Sequence, residues 1–144
     1  MAPSIPSAPS RPHSRSRNKT EDIMKLLIVD DHGPTREMIR QMIGPLALEV
    51  RECAGGAEAV RACADFCPNV VTLDLHMMPM TGFEAMRQIL AGQPRAHVIV
   101  VTQDADAGLR QLSLRSGASW FVTKDNLAGL RIFMEKNREI LLNP

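Results

Sequence analysis

Five side chains that could share one chemical task stand at or just after the ends of four short apolar runs. They comprise two adjacent carboxylates, a third carboxylate, a hydroxyl and an amine, namely Asp30, Asp31, Asp74, Thr102 and Lys124. Three carboxylates held within a few ångströms of one another would repel, and their pKa values would rise unless a cation lay among them. Oxygen ligands with room for water suit Mg²⁺ and not Zn²⁺. The pattern therefore predicts a Mg²⁺ site at the three aspartates.

The chemistry available to such a site is the transfer of a phosphoryl group to a carboxylate. A carboxylate beside a bound cation can attack phosphorus and form an acyl phosphate. The Lys124 ammonium could neutralise one phosphoryl oxygen, and the Thr102 hydroxyl could donate a hydrogen bond to another. Taken alone, Asp74 would be interpreted as a residue that ends a strand or caps a helix. Its combination with the other four residues favours a phosphoryl-accepting site.

The elements that must position these residues alternate between strand and helix five times from Met24 onwards. The run from Val70 to Leu73 lacks polar alternation, which is typical of a strand buried on both faces of a parallel sheet. Five such strand–helix units in about 120 residues imply an α/β fold with right-handed crossovers and helices on both faces. Parallel strands end at one edge of a sheet, so residues that end neighbouring strands converge there.

The expected strands cover residues 26–29, 48–54, 70–73, 98–101 and 120–122, and the polar character of the second suggests a sheet edge. A helix follows each strand; the first is expected to begin at Pro34 and the fourth to end before Gly117. The apolar residues spaced to form the inner faces of these helices are Met38, Ile39 and Met42; Ala57, Val60, Ala64 and Cys67; Met86 and Leu90; Leu109 and Leu112; and Leu127, Leu130, Met134 and Leu141.

Composition sets further limits. At 144 residues the chain suffices for one domain, and 17 basic against 16 acidic residues provide no overall field that favours nucleic acid or a membrane. The sequence contains no apolar run long enough to span a membrane. The three cysteines are expected to be reduced thiols, which indicates a cytoplasmic protein. Residues 1–23, rich in Pro, Ser and Arg, are predicted to form a disordered tail before a folded domain over residues 24–144, and Met24 is an alternative natural start.

The order and placement of these residues resemble the receiver domain of bacterial two-component response regulators, over about residues 25–142. The resemblance implies a three-layer, doubly wound (βα)5 fold of the flavodoxin-like kind, with a five-stranded parallel sheet in the order 2-1-3-4-5. It makes Asp74 the phosphorylated residue, and it makes Asp30, Asp31, Asp74 and the backbone carbonyl of His76 the ligands of Mg²⁺. The protein would be a signalling phosphoacceptor, which can catalyse its own phosphorylation and dephosphorylation, and not an enzyme.

The same resemblance assigns the remaining site residues and the partners. Thr102 and Lys124 match the residues that assist phosphorylation, and Thr102 and Phe121 match the switch pair. The phosphoryl donor would be a sensor histidine kinase or a histidine phosphotransfer protein. A downstream protein effector would bind the face made by helix 4, strand 5 and helix 5, with no direct binding of nucleic acid or membrane by this chain. Strand alternation places Trp120 on the side opposite Phe121, beneath the last helix.

Three departures from the family's usual pattern leave the reacting groups intact. Asp125 follows Lys124 where proline is commoner, so a trans peptide bond is expected there. Met78 stands where the family usually has proline, with Pro79 one residue later. Gln103 is larger than the usual residue after the switch threonine, and its side chain could restrict entry of the phosphoryl donor or of water.

Alternative interpretations stay open on the sequence alone. The chain could be a receiver fragment of a DNA-binding transcriptional regulator, or a non-phosphorylated pseudo-receiver that serves as a protein-interaction module. A flavodoxin-type nucleotide site is disfavoured because Asp30 and Asp31 would repel a phosphate that no cation accompanies. A haloacid-dehalogenase-type phosphatase requires a second aspartate two residues after the nucleophile, where His76 stands.

Overall fold

The computed structural model describes residues 23–143, in which five parallel strands alternate with helices. The strands are β1 (Lys25–Val29), β2 (Glu49–Cys53), β3 (Val70–Leu73), β4 (His97–Thr102) and β5 (Trp120–Thr123). The helices are α1 (Gly33–Ile43), α2 (Gly56–Phe66), α3 (Gly82–Gly92), α4 (Ala107–Arg115), α5 (Leu127–Lys136) and α6 (Arg138–Leu142), and a 3₁₀ turn over Gly44–Leu46 follows α1. Each expected strand and helix is present, and the last helix is divided at Asn137.

The strands lie side by side in the order β2-β1-β3-β4-β5, which confirms the predicted fold class and strand order. β2 lies at an edge, as its polar sequence indicated. The register places Val29, the last residue of β1, beside Cys53 of β2 and Leu73 of β3. Because β1, β3, β4 and β5 are consecutive neighbours, their C-terminal ends lie along one edge of the sheet.

Both faces of the sheet are buried, and each strand contributes side chains to both. This is because successive side chains of a strand point to opposite faces. In β1, Leu27 and Val29 belong to one core cluster, whereas Leu26 and Ile28 belong to the other. Helices α2 and α3 cover the first cluster, and α1, α5 and α6 cover the second. The buried apolar residues that these helices contribute are Ala59, Cys63, Phe66, Ala85, Met86 and Ile89 on one side, and Ile39, Ile43, Leu127, Leu130, Met134 and Leu141 on the other.

The expected inner face of α2 is wrong. This helix buries Ala59, Cys63 and Phe66. Of the four residues expected inside, Val60 is partly buried and the others are exposed, namely Ala57, Ala64 and Cys67. Both sets recur at helical spacing, but only one contains a phenyl ring. Burial of that ring removes far more apolar surface from water than burial of an alanine, so the helix turns to place Phe66 in the core.

Helix α4 has the least apolar burial of the helices that pack on the sheet. Leu112, expected to face inward, is 51% exposed, and Leu109 is only partly buried. The single buried residue of the helix is Ser113, whose hydroxyl donates to the carbonyl oxygen of Leu109 at 2.8 Å. In α1, Met38 is likewise 55% exposed and not inward as expected. Helix α4 is therefore attached to the sheet by fewer buried apolar groups than its neighbours.

The predicted tail over residues 1–23 lies, except for Ile23, outside the described residues. Within residues 23–143 every helix is too short or too polar to cross a membrane. The three cysteines carry free thiols, and Cys67 is exposed. Burial raises the pKa of Cys53 to about 11 and that of Cys63 to about 12, so both are protonated core residues.

Gly82, the first residue of α3, lies very close to the main chain of Asp74 and Leu75. A Cβ atom on Gly82 would overlap the carbonyl oxygen of Asp74 and lie 2.5 Å from Cα of Leu75. We therefore expect Gly82→Ala to lower the free energy of unfolding by about 1–3 kcal/mol or more, measured by denaturant titration. Gly92→Ala, at the other end of the same helix, meets no atom within 4 Å and should be neutral or stabilising by up to about 1 kcal/mol. Equal effects of the two substitutions would contradict this account.

Candidate functional site

The five residues selected from the sequence are placed by four adjacent strands at one edge of the sheet. Asp30 and Asp31 directly follow β1, Asp74 follows β3, Thr102 ends β4, and Lys124 follows β5. Thr102 of β4 pairs with Thr123 of β5. The main-chain N–H of the next residue, Lys124, donates to the carbonyl oxygen of Thr102 at 2.8 Å. The predicted convergence of these residues is thus a direct result of the strand order.

The three aspartates form one acidic cluster. Each offers a carboxylate oxygen, and these oxygens all lie within 4.8 Å of one another. Asp30 is fully buried, Asp74 is 4% exposed, and Asp31 is exposed. An all-oxygen donor set with one solvent-facing member fits a hard cation that keeps some of its water, as Mg²⁺ does. The cluster therefore has the donors expected of a Mg²⁺ site.

One ammonium group compensates part of this negative charge. Nζ of Lys124 lies 2.8 Å from Oδ2 of Asp30 and 3.5 Å from Oδ2 of Asp74. Two main-chain N–H groups direct the positive ends of their dipoles at the same carboxylates. The N–H of His32 donates to Oδ1 of Asp30 at 2.9 Å, and the N–H of His76 donates to Oδ1 of Asp74 at 3.3 Å. The two buried carboxylates are thus bound on both oxygens, and they share the lysine.

The pKa values of Asp74 and Lys124 reflect this arrangement. Burial is the main cause that raises the pKa of Asp74, and the nearby Asp30 adds to it; the Lys124 charge and the His76 N–H act in the opposite direction but do not cancel it. Burial lowers the pKa of Lys124, but its close contact with Asp30 and the charges of both carboxylates outweigh burial, so its pKa is raised. Lys124 therefore stays charged, whereas Asp74 carries a net cost for its charge that a bound cation would relieve.

A cavity of about 250 Å³ opens over Asp74. Its lining consists of Asp31, His32, Thr35, Asp74, His76, Gln103 and Lys124. His32 and Thr35 were not selected from the sequence; Nδ1 of His32 lies 2.7 Å from Oγ1 of Thr35 at the start of α1. Their position directly after the acidic pair was the only available signal. Gln103 lines the cavity, as its place after Thr102 suggested.

Thr102 and Phe121 lie on the adjacent strands β4 and β5. Thr102 is fully buried, and its Oγ1 accepts the N–H of Asp104 at 3.5 Å. Phe121 is 5% exposed and belongs to the core cluster on the α2 and α3 side. Trp120 packs on the other side, where its ring stacks on Phe133 of α5 at a centroid distance of 5.0 Å. This stacking confirms the predicted placement of Trp120 beneath the last helices.

The fold and the site together define a class of protein. It is a doubly wound α/β domain with an acidic cluster and a shared lysine at the carboxyl edge of its sheet. The chain belongs to the response regulator receiver domain family, whose sequence model matches residues 26–131. Members of this family are signalling domains and not enzymes in the usual sense.

Individual relatives agree with this assignment. The chain is similar to the chemotaxis protein CheY of Listeria monocytogenes, with 38% identity over 71% of this chain and 87% of that protein. It is also similar to the response regulator GacA of Pseudomonas aeruginosa, with 30% identity over 82% of this chain but only 55% of that protein. Among solved structures, a CheY-like receiver domain protein from Methanospirillum hungatei is 26% identical with a TM-score of 0.71, covering 83% of this chain and 94% of that one.

The raised pKa of Asp74 predicts how stability depends on pH. The folded protein binds the Asp74 proton more tightly than the unfolded chain does, so this residue's contribution to stability is lost as the pH rises through the raised pKa. Without divalent cations, Asp74→Asn should therefore raise the Tm by a few degrees near neutral pH, and the gain should shrink in acid. Asp31→Asn, which alters an exposed side chain, should change the Tm less. A Tm of Asp74→Asn at or below that of the wild type near neutral pH would contradict the prediction.

Proposed function

We propose that this protein accepts a phosphoryl group on Asp74, with Mg²⁺, and so passes a signal within a two-component phosphorelay. The observation that carries the proposal is the position of one ammonium between two buried carboxylates, Lys124 being 3.5 Å from Asp74 and 2.8 Å from Asp30. Such an ammonium can neutralise the oxygens of a phosphoryl group that approaches Asp74. Membership of the receiver family supports the same role.

In the proposed step, a carboxylate oxygen of Asp74 attacks the phosphorus of a phosphohistidine. The new O–P bond forms as the P–N bond to the imidazole breaks, and the electron pair of the broken bond stays on the imidazole nitrogen. Lys124 neutralises one phosphoryl oxygen, and the hydroxyl of Thr102 donates a hydrogen bond to another. Bound Mg²⁺ would supply further neutralisation of the phosphoryl charge.

The proposed ligands of Mg²⁺ are Asp30, Asp31, Asp74 and the main-chain carbonyl of His76. The proposed donors are a sensor histidine kinase, a histidine phosphotransfer protein or a small molecule such as acetyl phosphate. The cavity of about 250 Å³ over Asp74 is open enough for a phosphoryl group to enter. Water that enters by the same route would hydrolyse the acyl phosphate, so Gln103 at the cavity wall should affect its lifetime.

The chemistry is tested by labelling with radioactive acetyl phosphate at matched protein concentrations. The wild type should incorporate one phosphoryl group when Mg²⁺ is present and none after chelation of divalent cations. Asp74→Asn should not be labelled, and Lys124→Gln should be labelled about a hundredfold more slowly, because a charged donor at the site is lost. Lys136→Gln, which removes an exposed lysine of α5, is the matched control and should be labelled at the wild-type rate. Undiminished labelling of Asp74→Asn would exclude the proposed acceptor.

The proposed output face lies along α4, β5 and α5. A groove of about 490 Å³ runs there, and its floor includes the stacked rings of Trp120 and Phe133. The guanidinium of Arg110, on α4, lies 5.1 Å from the Trp120 ring centre. Because α4 has only one buried residue, Ser113, a small displacement of this helix costs little apolar burial. Phosphorylation that draws the Thr102 hydroxyl towards Asp74 can therefore shift α4 and reshape the groove for a downstream protein.

Trp120, the single tryptophan, offers a measure of this switch. Beryllofluoride with Mg²⁺, a mimic of the phosphoryl group, should change Trp120 fluorescence in the wild type because displacement of α4 moves Arg110 relative to the ring. Thr102→Ala should reduce the change at least severalfold, and Thr102→Ser, which keeps the hydroxyl, should retain it. Equal responses of the wild type and Thr102→Ala would show that the switch does not depend on this hydroxyl.

A receiver module of a DNA-binding transcriptional regulator is the second candidate, because the chain spans only 55% of the response regulator GacA. It is also 25% identical to a DNA-binding response regulator of the LuxR family from Staphylococcus aureus. The site chemistry would be the same, and the effector would then be a domain of the same polypeptide. We further propose that residues 24–144 form the receiver domain, that residues 1–23 are dispensable for phosphorylation, and that the protein acts in the cytoplasm. A non-phosphorylated pseudo-receiver is the third candidate, and only the presence of all the site residues, Asp30, Asp31, Asp74, Thr102 and Lys124, disfavours it.

A further inference from the structure

Arg36 of α1 contacts the main chain of the acidic cluster. Its Nη1 donates to the carbonyl oxygen of Asp30 at 2.7 Å. Its Nε donates to Oε1 of Glu52, on β2, at 3.1 Å, and Oε2 of the same carboxylate accepts from Nη1 of Arg40 at 2.9 Å. Arg36 thus bridges an edge strand and the loop that carries the acidic pair, and within residues 23–143 its hydrogen bonds go to Glu52 and to the main chain of Asp30.

The peptide groups on both sides of Asp30 are fixed by the end of β2. The N–H of Asp30 donates to the carbonyl oxygen of Cys53 at 3.1 Å, and its carbonyl oxygen accepts from Arg36, which Glu52 orients. Adjacent residues of one strand therefore hold Asp30 from two directions. Because Asp30 is fully buried, water cannot replace either contact without rearrangement of the loop.

We propose that Arg36, held by Glu52, is a positioning residue that sets the orientation of Asp30 for binding a divalent cation. The proposal rests on the proposed function, since it takes the acidic cluster to be a Mg²⁺ site. Partners that orient the ligands of a metal affect its affinity although they do not touch the metal, and their loss typically weakens binding at least tenfold. Loss of Arg36 leaves the Asp30 carbonyl without its donor and lets the loop turn.

The sign of the effect separates positioning from simple electrostatics. Arg36 carries a positive charge near three carboxylates, so on Coulomb's law alone its neutralisation would strengthen the binding of a cation. Loss of positioning would weaken the binding. Glu52→Gln keeps Arg36 but removes the carboxylate that orients it, and it should cause a smaller loss in the same direction. Because removal of a negative charge also weakens cation binding on Coulomb's law, the test for this variant is whether the loss persists at high salt. Salt screens long-range charge effects, so a positioning effect should persist at high KCl.

The experiment is a titration of the full chain with MgCl₂, followed by amide NMR shifts, for the wild type and for Arg36→Gln. We expect a Kd about tenfold higher for Arg36→Gln at both low and high KCl. The matched control is Arg131→Gln. Arg131 makes the same pair of contacts away from the cluster: its Nη1 donates to the carbonyl oxygen of Met42 at 2.8 Å, and its Nε donates to Glu135 at 2.7 Å. Its loss should leave the Kd for Mg²⁺ unchanged.

A merely structural role would lower the Tm of Arg36→Gln and of Arg131→Gln alike, without a change in the Kd of the folded protein. Phosphorylation by acetyl phosphate gives a second test: the rate for Arg36→Gln should approach that of the wild type when Mg²⁺ is raised to saturation. A Kd for Arg36→Gln equal to or lower than that of the wild type would overturn the positioning role. If Arg36→Gln fails to fold, an unchanged Kd for Glu52→Gln would overturn it. Absence of Mg²⁺ binding by the wild type would instead overturn the metal site of the proposed function, and the positioning role with it.

Discussion

Repulsion between carboxylates at the carboxyl edge of the sheet is the constraint on which the arrangement of the site depends. Two of the three acidic side chains are buried, and within residues 23–143 the ammonium of Lys124 is the one that lies between them. This requires β5 to lie close enough to β1 and β3 for its lysine to reach both aspartates, which the strand order permits. Asp31 remains exposed, so its carboxylate is accessible from solvent, as the proposed binding of a hydrated cation requires. The negative charge that this leaves uncompensated is what the proposed binding of Mg²⁺ would offset.

The residues that end the strands could be recognised from the sequence because apolar runs that stop abruptly at a charge are a local pattern. Asp30, Asp74 and Lys124 all belong to this class, and the family resemblance supplied the order in which their strands are arranged. The inner face of α2 was not recoverable in the same way, because two stripes share the helical period and only packing chooses the one with Phe66. The contacts of Arg36 left no local pattern at all, since their partners belong to other elements.

The part of the site behind Asp74 is packed closely, whereas the proposed output face is packed less closely. Behind Asp74 the main chain lies so close to Gly82 that no further atom can be accommodated. Helix α4, by contrast, is held by a single buried residue and leaves Leu112 half exposed. A local change of charge can thus leave the closely packed part in place and appear as movement of the less anchored helix. This distribution of packing fits the proposed switch, in which an element with two packings responds to a local change of charge.

The edge position of β2 has a consequence for self-association. An unpaired strand edge is a template on which other chains can add strands and aggregate, and charged side chains are a common protection against it. Glu49 and Arg51 are exposed on this strand, and Glu52 is bound by arginines of α1. The charges that keep this edge from recruiting further strands thus include the carboxylate that steadies Asp30. Substitutions that make the strand a better β-former would remove a safeguard of solubility and a support of the acidic cluster together.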